Sequence, residues 1–244
     1  MILAAGIGSR LKPLTDVTPK PLLKVNNMTM LEMTMLYLKK HDVKKIVINI
    51  HHHAQQIVDY VSKHNGFGVE VIFSDESDML LNTGGGLVKA KLHLHEAPFI
   101  LAASDVLTDL DLTAMYNHHV AKNNLVTLAV KERETSRSLL FDEEGLLAGW
   151  RNNRTEELKL VKRKTESVRM GFSGVHVISP DFFDKVTLKG NFNIVNQYLE
   201  LAECERIGMF GHSDGLWHEF GKISSLEQAA SNKEVLRLQQ DIIK

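Results

Sequence analysis

The sequence of 244 residues has few of the features that mark secreted, membrane or nucleic-acid-binding proteins. Cys204 is its single cysteine, which excludes both an intrachain disulfide and a thiolate metal cluster. The formal net charge is −1, so no overall field attracts nucleic acid or anionic lipid. No apolar run approaches the ~20 residues of a bilayer-spanning helix. We therefore expect a globular cytoplasmic protein that has neither a nucleic acid nor a membrane as a partner.

Short apolar segments alternate with amphipathic segments through the first half of the chain. Residues 46–50 and 99–103 are compact and apolar, as in strands buried on both faces, whereas residues 29–41 repeat apolar side chains at helical spacing. This order predicts an α/β fold with a mostly parallel, Rossmann-like sheet flanked by helices. We expect one domain over residues 1–244, with this sheet in about residues 1–135 and a smaller mixed α+β region in about residues 136–244.

Three further elements are predicted from local signals. Residues 138–141 and 146–151 indicate a hairpin around a turn that ends at Gly145. A helix is predicted over residues 86–94. A last helix is predicted from about Ser224, because Ser224 and Glu227 have the spacing of a capping box.

A glycine-rich loop follows the first apolar segment, with the sequence Leu-Ala-Ala-Gly-Ile-Gly-Ser-Arg at residues 3–10. Gly6 and Gly8 allow the backbone to turn sharply and to approach a ligand closely. Successive amides in such a turn can bind phosphate oxygens, and Arg10 adds a planar set of donors. Lys20 lies between two prolines, which fix the local backbone and so direct its ammonium group.

Two other kinds of glycine-rich loop are alternative interpretations of this segment. A dinucleotide-binding fingerprint requires a third glycine where this chain has Leu11, and a helix that Pro13 disfavours. A Walker-type loop requires Gly-Lys-Ser or Gly-Lys-Thr, which is absent. A nicotinamide-dependent oxidoreductase is therefore a weaker alternative, and the loop is interpreted as a different kind of phosphate-binding site.

Residues 3–22 as a whole closely resemble the signature of the sugar-1-phosphate nucleotidyltransferases. In that family the loop surrounds the triphosphate, and the matching arginine and lysine contact its phosphates. The resemblance implies catalytic roles for Arg10 and Lys20. It implies nucleotide contacts for Leu3, Ala4, Ala5, Gly6, Gly8 and Ser9.

Residues 80–90 resemble the second glycine segment of the family, which lies against the base and ribose. The resemblance implies nucleotide contacts for Thr83, Gly84 and Gly85, and three consecutive glycines before a helix would permit close approach of a ligand. A flexible turn is the alternative interpretation. Glu76 lies just upstream and is a candidate for contacting the edge of the base.

Two carboxylates are candidates for magnesium. Asp105 follows an apolar strand, where a parallel sheet places ligands, although an aspartate there could instead cap the next helix. The resemblance implies that Asp105 binds Mg²⁺. Residues 217–222 resemble the Trp-x-Asp-Val-Gly-Thr segment of the family, with Glu219 in the place of the second metal-binding aspartate. Glutamate offers the same oxygens on a longer side chain.

The sugar site is predicted in the second half of the chain. Phe-Ser-Gly at residues 172–174 resembles the family segment that contacts the sugar, which implies roles for Ser173 and Gly174. Arg151 and Asn152 are candidates for sugar hydroxyls or phosphate, or form a solvated hairpin end. By the resemblance, the first half binds nucleotide and the second binds sugar and closes over it.

The resemblance implies synthesis of an NDP-sugar and pyrophosphate from a nucleoside triphosphate and a sugar 1-phosphate. The glycine segment is most similar to N-acetylmuramate-1-phosphate uridylyltransferase and mannose-1-phosphate guanylyltransferase members, so UTP and GTP both stay open, and cell-envelope precursors are one possible product. Because Glu219 departs from the family pattern, a regulator that binds nucleotide without turnover is the alternative. The sequence does not predict the oligomeric state.

Three consecutive histidines, at positions 51–53, suggest a zinc site at first sight. Adjacent side chains after a strand point to alternating sides and so do not converge easily on one ion. A role in packing or in a turn is favoured instead.

Overall fold

The computed structural model describes residues 1–162 and 168–243. Its strands are β1 (Ile2–Leu3), β2 (Lys24–Val25), β3 (Met28–Thr29), β4 (Lys45–Ile50), β5 (Glu70–Asp75), β6 (Phe99–Ala103), β7 (Val106–Thr108), β8 (Val126–Lys131), β9 (Arg137–Phe141), β10 (Leu147–Asn152), β11 (Leu158–Leu160), β12 (Val168–Ile178), β13 (Ile207–Gly211) and β14 (Trp217–Glu219). Its α-helices are α1 (Met30–Lys40), α2 (Ala54–Lys63), α3 (Asn82–Lys89), α4 (Leu112–Ala121), α5 (Phe182–Lys185), α6 (Ile194–Leu201), α7 (Ile223–Ala229) and α8 (Lys233–Ile243). The predicted α/β class is confirmed.

The described chain forms two compact units that are interleaved along the sequence. The first unit contains Met1–Asn82, Ala102–Leu110 and Leu216–Lys244, with the last residue outside the described range. The second unit contains Thr83–Leu101 and Asp111–Gly215, except for residues 163–167, which also lie outside the described range. The predicted hairpin around Gly145 belongs to the second unit and is confirmed as β9 and β10.

The first unit has a parallel sheet at its centre. Strand β1 lies between β4 and the end of β6, and β5 pairs with the other side of β4. Five of the six residues of β4 are buried, which explains its continuous apolar pattern. The carboxyl ends of these four strands lie at one edge of the sheet, where α/β folds bind ligands.

Two helices of the first unit pack together. Thr29 and Glu32 form a capping box at the start of α1, with Thr29 Oγ1 accepting from the Glu32 amide at 3.1 Å. The apolar face of α8 packs on α1, and Gln239 donates to the Val25 carbonyl at 2.7 Å.

The last helical region differs from the prediction. It forms two helices, α7 and α8, and α7 begins after Lys222 rather than at Ser224. Ser225 Oγ accepts from the Lys222 amide at 3.2 Å, so Ser225 performs the local capping that the Ser224–Glu227 spacing suggested. No helix in the described chain is long and apolar enough to cross a membrane.

The second unit has mixed strand directions. Strand β12 pairs antiparallel with β8 and β9, while β13 pairs parallel with β8. The register of β12 against β8 shifts between Phe172 and His176, which places a bulge at residues 173–175. Gly174 has a φ of +79° within this bulge, a conformation that favours glycine.

Helix α3 begins earlier than predicted. It covers Asn82–Lys89, so Thr83 and the three glycines lie inside its first turns rather than before it. The predicted end at residue 94 is replaced by a short 3₁₀ turn at Lys91–His93. Glycine disfavours helices on its own, and here packing of the buried glycines stabilises the helix.

Candidate functional site

The loop after β1 begins with a side-chain contact to its first amide. The Ala4 amide donates to Asn49 Oδ1 at 2.7 Å, and both residues are buried. Further along, the Gly8 carbonyl accepts from the Leu11 amide at 2.8 Å and from Thr15 Oγ1 at 3.0 Å. Residues 5–8 therefore span a short segment that is fixed at both ends.

The folded backbone requires glycine at position 8 but not at position 6. Gly8 has a φ of +69°, and a Cβ there would lie 2.9 Å from Thr15 Cγ2 and 3.0 Å from Lys20 Cβ. Gly6 has no atom within 4 Å of a Cβ built on it, so the protein itself does not require glycine there. A free surface over Gly6 is what close approach by a phosphate group would need.

Lys20 and Asp105 form an ion pair at the carboxyl end of the sheet. Their side chains are only 18% and 11% exposed, so the pair is largely desolvated. Lys20 lies in a 3₁₀ turn, Lys20–Leu22, that starts between its two prolines. The alternative that Asp105 caps the next helix is wrong, because Asp111 caps α4 by accepting from the Ala114 amide at 2.9 Å.

Arg10 and Glu219 form a second, more exposed pair, with Arg10 Nη2 at 3.5 Å from Glu219 Oε1. Strand β14 places Glu219 opposite Val106, and the Phe220 amide donates to the Asp105 carbonyl at 2.9 Å. The backbones that carry the two candidate metal-binding carboxylates are therefore adjacent. A Cβ at Gly221 would lie 2.8 Å from Glu219 Oε1 and 2.9 Å from Arg10 Nη2, so glycine leaves room for this pair.

The two candidate carboxylates suit a magnesium ion that is bound partly by phosphate. Mg²⁺ in phosphate-transfer sites is held by one or two carboxylates together with substrate phosphates and water. Asp105 and Glu219 supply such a pair on neighbouring backbones. Among the described residues, no group of three or more histidine, cysteine or carboxylate side chains could hold a metal without other ligands. The set fits an ion shared with phosphate rather than an ion held by protein alone.

Glu76 is completely buried, which does not fit the expectation that it contacts the base. It is 0% exposed, and its two carboxylate oxygens accept from Asn49 Nδ2 at 2.7 Å and from the Leu81 amide at 3.0 Å. A carboxylate this deep needs such donors to offset its lost hydration. Its contacts indicate a structural role at the carboxyl ends of β4 and β5.

The three histidines bind three different backbone carbonyls. His51 Nδ1 lies 2.7 Å from the Glu76 carbonyl, His52 Nε2 lies 3.2 Å from the Thr15 carbonyl, and His53 Nε2 lies 3.1 Å from the Asp16 carbonyl. Since a carbonyl only accepts, each ring nitrogen donates. The favoured role in packing or in a turn is confirmed.

Thr83 and Gly84 have packing partners within the second unit. Thr83 Oγ1 accepts from the Ile194 amide at 3.0 Å, and the Gly84 amide donates to the Phe192 carbonyl at 2.9 Å. A Cβ at Gly84 would lie 2.1 Å from the Phe192 ring, so glycine is required there by packing alone. Gly85 is buried in the same helix. Their contact with a nucleotide remains a prediction.

The predicted sugar-site residues lie at two places in the second unit. Arg151 Nη2 is 3.4 Å from Glu156 Oε1, and Asn152 Oδ1 accepts from the amides of Arg154 and Thr155 at 3.0 Å and 3.3 Å. Asn152 therefore stabilises a turn. Ser173 is buried, with its Oγ at 2.7 Å from His212 Nε2, in the bulge described above.

The geometry can be compared with known proteins. The sequence profile of the family described as Nucleotidyl transferase matches residues 1–139. N-acetylmuramate alpha-1-phosphate uridylyltransferase from Neisseria meningitidis serogroup B is 30% identical over 237 residues, covering 94% of this chain and 95% of that protein. UTP–glucose-1-phosphate uridylyltransferase from Synechocystis is 25% identical over 242 residues, and mannose-1-phosphate guanylyltransferase catalytic subunit beta from Drosophila melanogaster is 26% identical over 250 residues.

The chain spans 61% of the length of the Synechocystis protein and 65% of that of the Drosophila protein, and each match covers at least 94% of this chain. Among solved structures, the inositol-1-phosphate CTP transferase from T. maritima has a TM-score of 0.76 at 18% identity, covering 99% of this chain and 94% of that one. UDP-glucose pyrophosphorylase from Acinetobacter baumanii has a TM-score of 0.75 at 13% identity, with coverage of 99% and 97%. These two structures show the same fold.

The family profile covers more than half of the chain, and it includes the glycine loop, Lys20 and Asp105. The Neisseria relative extends the match over nearly the whole length of both proteins. The chain therefore belongs to the nucleotidyl transferase family, among its sugar-1-phosphate nucleotidyltransferases.

Proposed function

We propose that this chain transfers the nucleotidyl group of UTP or GTP to a sugar 1-phosphate and releases pyrophosphate. The observation that carries the proposal is the pairing of two cations with two carboxylates, Lys20 with Asp105 and Arg10 with Glu219, beside a glycine loop at the carboxyl edge of a parallel sheet. The uridylyltransferase and guanylyltransferase relatives support UTP and GTP as the first nucleotides to test.

Nucleotidyl transfer to a sugar phosphate is chemistry that these charged side chains can support. The second pKa of a phosphate monoester is about 6, so the sugar phosphate is already ionised at neutral pH and needs no general base. Its oxygen forms a bond to the α-phosphorus while the bond from that phosphorus to the bridging oxygen breaks, and the electron pair leaves with pyrophosphate. The protein has to hold two anions together and offset their charge.

Arg10 and Lys20 are proposed to bind the phosphates of the triphosphate. Arg10 is 61% exposed at its side chain and is free to turn from Glu219 toward an incoming anion at little cost. Asp105 and Glu219 would hold Mg²⁺, which supplies positive charge against the phosphate oxygens. Removing one such charge typically slows turnover by about 10²- to 10³-fold.

The sugar is proposed to be bound by the second unit, through the bulge at residues 173–175 and through Arg151. Ser173 in the bulge is held by His212, and the Arg151 side chain is 26% exposed. Thr83, Gly84 and Gly85 are proposed to lie near the base and ribose, and Glu76 is no longer proposed to contact the base.

The test is a release assay for pyrophosphate in the presence of magnesium. Four nucleoside triphosphates are each combined with N-acetylmuramate 1-phosphate, mannose 1-phosphate, glucose 1-phosphate and related sugar phosphates, with Asp105→Ala as the control. Release with one nucleotide and one sugar phosphate, abolished by the control, would support the proposal. Nucleotide binding without release across the panel would favour a binding regulator instead.

A further inference from the structure

A polar network interrupts the buried apolar run of strand β4. Asn49 is 2% exposed and lies between Ile48 and Ile50, which are 0% and 4% exposed. Its Oδ1 accepts from the Ala4 amide at 2.7 Å, and its Nδ2 donates to Glu76 Oε1 at 2.7 Å. A buried amide side chain whose oxygen and nitrogen both form hydrogen bonds specifies one arrangement of the backbones that it joins.

Glu76 determines which way the Asn49 amide points. A carboxylate has only acceptors, so the side of Asn49 that faces it must be the NH₂ group. The Asn49 oxygen is then directed to the Ala4 amide. The second Glu76 oxygen accepts from the Leu81 amide at 3.0 Å, and this bond holds the carboxylate itself in place.

The same corner of the chain also supports the far end of the loop. His52 donates to the Thr15 carbonyl at 3.2 Å, and Thr15 Oγ1 donates to the Gly8 carbonyl at 3.0 Å. Asn49 and His52 are three residues apart, so the end of β4 and the residues just after it hold both ends of residues 5–8. These contacts leave the open side of Gly6 unobstructed, with no protein atom within 4 Å of a Cβ built there.

We propose that Asn49, oriented by Glu76, is a positioning residue that sets the phosphate-binding conformation of the loop at residues 4–8 before substrate arrives. Preorganised donors raise the rate because they need no rearrangement during the reaction. Asn49 and Glu76 act through the Ala4 amide and do not touch the reacting atoms. The inference rests on the proposed function for its kinetic consequence, but not for its effect on the free protein.

The experiment uses Asn49→Ser, Glu76→Gln and a matched control, Val47→Ala. Asn49→Ser is too short to bridge Ala4 and Glu76. Glu76→Gln has one carbonyl oxygen instead of two carboxylate oxygens, so either Asn49 or the Leu81 amide loses its acceptor. Val47 is 1% exposed in the same strand, so its truncation disturbs the core without touching the network.

Hydrogen–deuterium exchange of the loop amides is measured on each ligand-free protein. We expect at least about 10-fold faster exchange at residues 4–8 in Asn49→Ser and Glu76→Gln, and unchanged exchange there in Val47→Ala. With the substrate pair found in the release assay, kcat/KM for the triphosphate should fall about 10- to 100-fold in the two network variants. The KM for the sugar 1-phosphate should stay unchanged.

The outcomes separate the inference from the proposed function. Unchanged loop exchange in both network variants would overturn the network as a restraint on the loop, whatever the enzyme does. Faster exchange with wild-type kcat/KM for the triphosphate would overturn the positioning role. If Asn49→Ser does not fold, Glu76→Gln decides alone. Failure of the wild-type protein to bind or use any triphosphate would refute the proposed function, and with it the positioning role, while the exchange data would still test the restraint.

Discussion

Gly6 and Gly8 provide a direct comparison of a glycine required for folding with one available to a ligand. Gly8→Ala would force a non-glycine residue into a left-handed conformation and against Thr15, at a cost of about 1–3 kcal/mol in the free energy of unfolding. Gly6→Ala should change that free energy by less than about 0.5 kcal/mol, since its Cβ meets no protein atom.

Triphosphate affinity should respond differently from stability in these two variants. We expect Gly6→Ala to weaken triphosphate binding at least about 10-fold, because a methyl group would stand where the loop is proposed to approach phosphate. Urea denaturation and a nucleotide titration measure the two quantities. A Gly6→Ala protein that binds triphosphate as well as wild type would show that phosphate does not lie over this residue.

The Lys20–Asp105 pair is expected to be structural as well as catalytic. Lys20→Met leaves a largely buried carboxylate without its partner and should lower the free energy of unfolding by about 3 kcal/mol. The double variant Lys20→Met/Asp105→Asn should regain most of that loss, because neither side chain is then charged.

Activity should not return with stability in the double variant. Pyrophosphate release should stay at least about 10²-fold below wild type in both variants, since the charge that is proposed to bind phosphate is gone. Denaturant midpoints and release rates are measured on the same preparations. A single Lys20→Met variant as stable as wild type would contradict the proposed desolvated pair.

Individual residues also show where sequence reasoning reached its limit. The sequence predicts Arg10, Lys20 and Asp105 as site residues because their surroundings follow a recognisable pattern, and the structure places each with a charged partner. The predicted contact of Glu76 with the base does not fit its burial, and its hydrogen bonds with Asn49 and the Leu81 amide leave no local pattern in the sequence. The available signal for Asn49 was a lone polar side chain inside an apolar strand, which normally requires a buried partner.

The segment after β4 acts as a support for the glycine loop. His52→Phe keeps a ring of similar size but removes the donor to the Thr15 carbonyl, so it should cost about 1 kcal/mol of stability. Added zinc should leave the melting temperature of the wild-type protein unchanged, because the three histidine rings bind separate carbonyls. A zinc-dependent rise in melting temperature that is lost in His52→Phe would contradict this account.

The sequence predicts secondary structure well where a clear apolar pattern marks the element. The prediction fails where the packing of glycines determines the start of a helix. Strands β4 and β6 and helix α1 lie within one or two residues of the predicted ranges. Helix α3 starts four residues early because Phe192 packs against Gly84, a contact between residues more than 100 positions apart. Helix propensity depends on local sequence and does not include such a contact. A prediction from propensity therefore leaves the glycines outside the helix.

Each compact unit combines segments that are far apart in the sequence. The sequence predicts one domain whose two functional halves meet near residue 135, and the first compact unit combines the N-terminal 82 residues with Ala102–Leu110 and the C-terminal segment from Leu216. Pairing of β14 with β7 brings Glu219 to the first unit, beside Asp105. Only the resemblance pointed to this juxtaposition, because strand pairing over such a separation leaves no local pattern.

Buried histidines make the stability of the whole protein depend on pH. Burial lowers the pKa of His176 from about 6.5 to about 3, and burial also lowers the pKa of His119 to about 4. Both residues are neutral in the folded protein at pH values where they bind a proton in the unfolded chain. Neither histidine therefore lowers the free energy of unfolding above pH 6.5. As the pH falls from 6.5 toward the pKa values of the folded protein, proton binding by the unfolded chain lowers this free energy.

At pH 5, His176 alone should reduce the free energy of unfolding by about 2 kcal/mol relative to pH 7.5. In His176→Asn, which keeps an acceptor for the Tyr198 hydroxyl, this part of the pH dependence should disappear. Urea denaturation at several pH values measures the difference. Identical pH profiles for the variant and wild type would contradict a neutral, buried His176.

The central claim is that the α-phosphoryl group, with its nucleoside, moves to the sugar phosphate. The most direct measurement follows a triphosphate labelled at the α-phosphorus through the reaction with the substrate pair found in the release assay. We predict that the label appears in an NDP-sugar, that pyrophosphate carries none, and that Asp105→Ala abolishes the transfer. Label in free nucleoside monophosphate, or label that stays in bound triphosphate, would contradict nucleotidyl transfer to a sugar 1-phosphate.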